Sequence, residues 1–257
     1  MQEFPATLRD WRQRRRLSQL QLALEADVSA RHVAFLETGR SRPSRAMILR
    51  LAGALEVPLG ARNAMLNAAG FAPHYPELSL DAKGMEQVLA AMDWTIRRHA
   101  PYPAVVMDRL WCLVALNATA ARMFAPLGLG RGASLLELVA APGSAAHFIE
   151  NWGEVGHHMM IRLRAESARA GGIAELDHAV AVLADDPAVA AYQPPDRSPP
   201  VVPTIYRAGG LRLSLFSTYA HFGTGEEVTL SGMKIELMFP ADAATEAALR
   251  ALQPDGD

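Results

Sequence analysis

Three arginines crowd the stretch Ser29 to Pro43, which reads SARHVAFLETGRSRP. A guanidinium presents a planar fork of donors that matches either a phosphate or the O6/N7 edge of guanine. Arg31 falls at the start of a helical pattern, while Arg40 and Arg42 trail its end. A second stock of side chains is apolar and polarisable: Met107, Trp111, Leu113, Met123, Phe124, Trp152, Met159, Phe216 and Met238. Thioethers and aromatic rings at helical or strand spacing either fill a core or line an apolar cavity.

Other groupings carry less. Glu154 and His158 are four apart on one helical face, with His157, His147 and Glu150 nearby, but no third ligand is spaced to close a metal site. Cys112, the only cysteine, excludes an intramolecular disulfide and reads as a small core residue in a strand. Gly128-Leu129-Gly130-Arg131-Gly132 lacks the preceding strand and following Lys-Ser/Thr of a phosphate loop. Ser144, His147 and Asp186 match no nucleophile motif, so catalysis is not expected.

The elements that must position these groups follow from pattern. At 257 residues and 50% apolar, the chain has the length for one large or two modest buried cores. No apolar run reaches the roughly 18 residues of a membrane span, and the N-terminus lacks the apolar stretch of a secretion signal. A cytoplasmic protein is expected. Residues 1–72 hold 11 Arg against 6 Asp or Glu, a net of +5, and the remainder carries −7 of the total −2. A basic segment on an acidic body points to a polyanion partner for the first part.

Five short helices fit that first part. TLRDWRQRRR places Leu8 and Trp11 on one face with Thr7 as the expected cap. Ser18 and Gln21 have the form of a capping box, opening a second helix expected to bury Leu20, Ala23 and Leu24. Ser29 caps a third with Val33 and Leu36 inward, and Gly39 is placed to stop it in the left-handed conformation. Ser44 caps a fourth carrying Met47, Ile48, Leu51 and Leu55, and a fifth spans about 60–69. The second and third, joined by a tight turn, make a helix-turn-helix.

The run LSQLQLALEADVSARHVAFLETGRSRPSRAMILRLAGALEV resembles the XRE (Cro and phage-repressor) family. The resemblance implies a domain over 1–72 whose third helix lies in the major groove of double-stranded DNA. It exposes Ser29, Ala30, Arg31, Ala34 and Phe35 there, with Arg31 available to guanine and the alanines to a thymine methyl. Arg40 and Arg42 would hold phosphates, and the family places a phosphate contact at Gln19.

Ala72-Pro73-His74-Tyr75-Pro76 breaks the helical pattern, and 73–99 reads as linker and connecting helix, with Met85, Val88, Leu89, Met92 and Ile96 on one stripe. Beyond it, 100–257 reads as an α+β domain. Two strands joined at Asp108-Arg109 precede a helix from about Asn117. Helices follow at about 145–170 and 173–184, then a proline-rich loop from Pro194 to Pro203 and three more strands. Alternation is clearest in Leu211, Leu213, Leu215 and in Ile235, Leu237, Phe239. The expected result is an antiparallel sheet with helices on one face, a PAS-like order.

More narrowly, MDRLWCLVALNATAARMF, NWGEVGHHMMIRLRAES and LRLSLFSTYAHFGTGEEVTLSGMKIELMFPAD resemble the ligand-binding domain of MmyB-like regulators. That resemblance implies a homodimeric transcription regulator on a palindromic operator, with a small apolar effector such as a fatty acid in its C-terminal domain. The nine apolar residues above would line the site, and Arg122, Arg162 or Arg164 could meet a carboxylate head. No metal or resident cofactor is implied. The alternative is a DNA-binding repressor whose C-terminal domain captures a partner protein and holds no small ligand.

Overall fold

Side-chain caps fix where the first helices start. In the computed structural model, which describes residues 3–141, 144–197, 199–208, 210–222 and 227–252, five helices open the chain: α1 (Phe4–Arg14), α2 (Gln19–Glu25), α3 (Ala30–Glu37), α4 (Arg45–Ala54) and α5 (Leu59–Ala68). Ser18 and Gln21 close a full capping box, while Ser29 accepts from the His32 amide and Ser44 from the Met47 amide. After α3, Gly39 takes φ +71°, and the Arg40 amide donates to the Phe35 carbonyl at 2.9 Å. The inner residues Leu8, Leu22, Val33, Leu36, Ile48, Leu51 and Leu66 are wholly enclosed.

Two expectations change here. Thr7 does not cap α1: the helix begins three residues earlier with Pro5 in its first turn, where a missing amide costs nothing, and buried Phe4 anchors it. The second helix buries Leu22 and Ala23, leaving Leu20 at 59% and Leu24 at 73% exposure. Starting the helix at the Ser18 cap sets its rotation, and the inward row is then Leu22, Ala23 and Ala26.

The chain divides into two compact units, one formed by Met1–Leu78 with Glu166–Ile173 and Gly225–Val228, the other by the remainder. In the first, the proline-bearing stretch after α5 folds back on it. The Asn63 amide accepts from the His74 and Tyr75 backbone at 2.9 and 3.0 Å and donates to the Tyr75 carbonyl at 2.8 Å.

The second unit is built on a five-stranded antiparallel sheet. It begins with α6 (Glu86–Arg98), β1 (Ala104–Met107) and β2 (Leu113–Leu116). The helices α7 (Ala118–Phe124), α8 (Leu135–Ala140), α9 (Ser144–Phe148), α10 (Trp152–Ala170), α11 (Ala174–Asp185) and α12 (Pro187–Ala191) come next. The chain then returns through β3 (Thr204–Ala208), β4 (Leu211–Ala220), α13 (Val228–Ser231), β5 (Lys234–Pro240) and α14 (Ala243–Ala251). The spatial order β2-β1-β5-β4-β3 brings the last strand into the middle, between β1 and β4. Three pairs of strands adjacent in sequence, β1-β2, β3-β4 and β4-β5, are antiparallel neighbours.

Helices cover both faces of this sheet, where one was expected. Met92 and Ile96 of α6 pack on Ala104, Val106 and Ile235. The intervening residues of β5, Lys234, Glu236 and Met238, are buried on the other side at 3%, 8% and 2% exposure. The expected single helix over 145–170 is also two. The Glu150 amide donates to the Ile205 carbonyl at 2.8 Å and the Ile205 amide to the Asn151 side chain at 3.0 Å. Pairing with the edge strand β3 interrupts the helical ladder between α9 and α10.

Candidate functional site

Two sites emerge, one in each unit. On α3, Val33, Leu36 and Glu37 turn inward, while Ser29 and Arg31 are exposed and Ala30, Ala34 and Phe35 half-buried. The Arg31 guanidinium carbon lies 5.1 Å from the centre of the Phe35 ring, a cation–π contact that holds it along the helix surface. Arg40 and Arg42 are exposed just past the Gly39 turn. The outward face therefore carries the residues read as DNA contacts, apart from Gln19, whose side-chain amide donates to Glu37 Oε2 at 2.8 Å.

Glu37, which the sequence did not single out, ties these helices together. Arg12 clamps it with two bonds, Nε to Oε1 at 2.6 Å and Nη2 to Oε2 at 2.9 Å, and Arg9 donates to its carbonyl at 3.1 Å. Burial pushes the Glu37 carboxyl up. The hydrogen bonds from Arg12 and Gln19 and the charges of Arg12 and Arg9 outweigh that and hold it below the usual range. The bond to Glu37 in turn raises the Arg12 guanidinium against its own burial. The signal was present in the sequence: a glutamate directly after Leu36 falls on the inner face of α3.

In the second unit a cavity of about 250 Å³ opens between the sheet and α10. Leu135, Leu138 and Val139 of α8 close one side, Phe148 and Ile149 another, and Trp152, Val155 and Met159 of α10 a third. Of the nine apolar residues read as lining, Trp111, Phe124, Trp152, Met159 and Met238 border it. Met107, Leu113, Met123 and Phe216 do not: the first three are buried core, and Phe216 stacks on Phe239 with ring centres 5.6 Å apart. Of the three arginines considered for a head group only Arg162 is there. The Arg122 side chain donates to the Leu252 carbonyl, and Arg164 is exposed.

The sheet contributes polar residues that sequence reading missed: Thr204 and Tyr206 of β3, Ser217 and Tyr219 of β4, and Glu236 of β5. The Tyr219 hydroxyl donates to Glu236 Oε1 at 2.7 Å, and the Arg162 guanidinium carbon sits 3.3 Å above the Tyr219 ring. Burial, then the Glu236 charge, hold the Tyr206 and Tyr219 phenols well above their ordinary range, so both stay protonated. The cavity wall thus combines a majority of apolar side chains with a set of polar ones, among them His158 and Arg162 of α10.

The comparisons assign a family to each of the two regions. Residues 88–252 match the MmyB-like transcription regulator ligand binding domain, and residues 8–61 match a helix-turn-helix. The chain belongs to the MmyB-like family. No curated protein matches it. As an MmyB-like regulator with an XRE-type helix-turn-helix, it is a DNA-binding transcription regulator with a ligand-binding domain. Both matched families are regulatory and neither is enzymatic.

The remaining groupings have structural explanations. Among the described residues no three His, Cys, Asp or Glu side chains gather as a metal site. Glu154 accepts from Asn151 at 3.1 Å and Tyr192 at 3.2 Å, and His157 and His158 pack their rings on Tyr192. Cys112 is half-buried between β1 and β2, where burial and Asp108 push its thiol up, away from reactivity. Among the described residues no helix is long and apolar enough to cross a membrane.

Proposed function

We propose that the protein is a cytoplasmic regulator that binds a palindromic double-stranded operator as a homodimer and responds to a small, mostly apolar effector held in its C-terminal domain. One recognition helix reads only a half-site, and a two-fold dimer would set two such helices about one helical turn apart, roughly 34 Å. Arg31 is the one polar reader with a bidentate fork, and Ala30 and Ala34 offer apolar contact to thymine methyls. Arg40 and Arg42 hold phosphates; the second amide proton of Gln19 is available to another.

The observation that carries the effector half is the cavity itself, walled by apolar side chains of α8 and α10, with polar groups from β3, β4, β5 and α10 among them. A fatty acid, the type implied by resemblance, is one member of the class that suits such a shape. Solvent extraction of the purified protein followed by mass spectrometry tests this. A stoichiometric amphiphile supports it, whereas a cavity that stays empty and takes up no amphiphile in solution sinks it in favour of a protein-binding domain. Mobility-shift titration on the protein's own promoter region tests the DNA half.

A further inference from the structure

We propose that Trp152 is the stop that sets the length of acyl chain the cavity accepts, held in place by Asp186 and by α12 behind it. The inference rests on the effector reading above and deepens it from a ligand class to a chain-length rule. Trp152 is the first residue of α10 to border the cavity and Arg162 the last, ten residues or about 15 Å of helix apart. Phe148, Ile149 and Val155, its near neighbours in the chain, border the cavity too. An acyl chain laid along α10 therefore ends against the indole, among apolar side chains.

Whether a side chain stops a ligand or yields to it depends on what holds it. Met159, on the same wall, is unbranched and can rearrange. Trp152 is 4% exposed, and its indole N–H donates to Asp186 Oδ2 at 3.1 Å. The other oxygen of Asp186 accepts from the Ala188 and Val189 amides at 2.9 and 3.1 Å, so the same carboxylate caps α12. That helix lies hard against α10. A Cβ on Gly153 would stand 2.6 Å from the Ala188 carbonyl oxygen, and one on Gly156 2.4 Å from Val189 Cγ2 and 3.5 Å from the Trp152 ring. The two glycines admit α12, which brings Val189 beside the indole and blocks its retreat on that side. The space at stake is large. An engineered cavity of roughly 150 Å³ holds benzene, so vacating the larger indole would add on the order of 150 Å³ to the present volume of about 250 Å³.

The test is native mass spectrometry of the delipidated full-length protein with an equimolar mixture of octanoate, decanoate, laurate, myristate, palmitate and stearate. The wild type should show one optimum and bind the acids beyond it about tenfold or more weakly. Trp152→Ala should move the optimum up by about two members of the series, and Trp152→Phe by less. Asp186→Asn keeps a carbonyl oxygen to cap α12 but sets an amide where the indole N–H needs an acceptor. It should blunt the rejection of longer acids while total occupancy holds. A length profile unmoved in folded Trp152→Ala protein overturns the proposal, as does a wild-type profile that only rises with length. If Trp152→Ala does not fold, the profiles of Trp152→Phe and Asp186→Asn decide in the same way. Acids that bind without a stop at Trp152 leave the effector reading standing. Failure of every acid to bind protein that still shifts its operator overturns both.

Discussion

At the residue scale the clearest feature is Trp111, a bulky side chain at φ +61°, in the left-handed region that favours glycine. Such backbone costs on the order of 1–3 kcal/mol and persists only where its surroundings enforce it. Asp108 does so here, its Oδ1 accepting from the Leu110 and Cys112 amides at 2.8 and 2.9 Å while the Trp111 amide donates to the Asp108 carbonyl. Asp108→Ala should therefore lower stability by about 1–2 kcal/mol in urea unfolding and shift Trp111 fluorescence by releasing the ring from the cavity wall. The roles proposed for Arg31 on α3 and for Arg42 beyond its end separate. Arg31→Ala should relax base preference at one operator position, costing about 1–3 kcal/mol there, whereas Arg42→Ala should weaken all sequences alike and reduce the salt slope by about 1. Competition binding against operator variants at several salt concentrations distinguishes the two. What the sequence hid at this scale was polar. Glu236 alternates with Ile235 and Leu237 on its strand, and that pattern alone does not distinguish a side chain facing solvent from one facing a cavity. With α10 over the sheet, that side chain borders the cavity.

At the element scale, caps and periodicity were legible and rotation was not. Ser18, Ser29, Ser44 and Gly39 do what their types imply, because a cap is a local bond within three or four residues. Which leucines α2 buries depends on neighbours far along the chain, and Leu20 and Leu24 were misread for that reason. The break between α9 and α10 was hidden likewise, since its cause is pairing with β3 some fifty residues away. The Glu37 cluster is the comparable tertiary device in the first unit, joining α1, α2 and α3. Glu37→Ala leaves the half-buried Arg12 without its counterion and should cost about 1.5–3 kcal/mol, measured by urea unfolding. The pH dependence has a definite sign. The folded Glu37 carboxyl is held below its unfolded value. Its contribution is therefore complete above that unfolded value, about 4.3, and is lost as pH falls through the lower folded one. The wild type should lose stability on acidification in that window, and Glu37→Gln should start less stable and show a shallower decline.

At the scale of the whole molecule, the chain joins a basic DNA-binding segment to an acidic ligand-binding one, +5 against −7, so phosphate attraction belongs to the first 72 residues. The proposed link between them is thermodynamic. An effector can alter operator binding only by favouring one DNA-competence state of the dimer over the other, and the coupling is reciprocal. If saturating effector changes operator affinity by a factor of about 10, worth about 1.4 kcal/mol, saturating operator must change effector affinity by the same factor in the same direction. Calorimetric titration of effector into the free protein and into its operator complex measures this, alongside the converse titration of operator. Equal factors from both sides establish regulation through a shared equilibrium. A cavity ligand that leaves operator affinity untouched would be a structural occupant of the second unit. Because Arg31 is nearly the only polar side chain on the proposed base-reading face, dimer spacing and DNA shape should carry much of the specificity. The coupling should therefore appear most strongly on operators whose half-sites are correctly spaced and should fade on an isolated half-site.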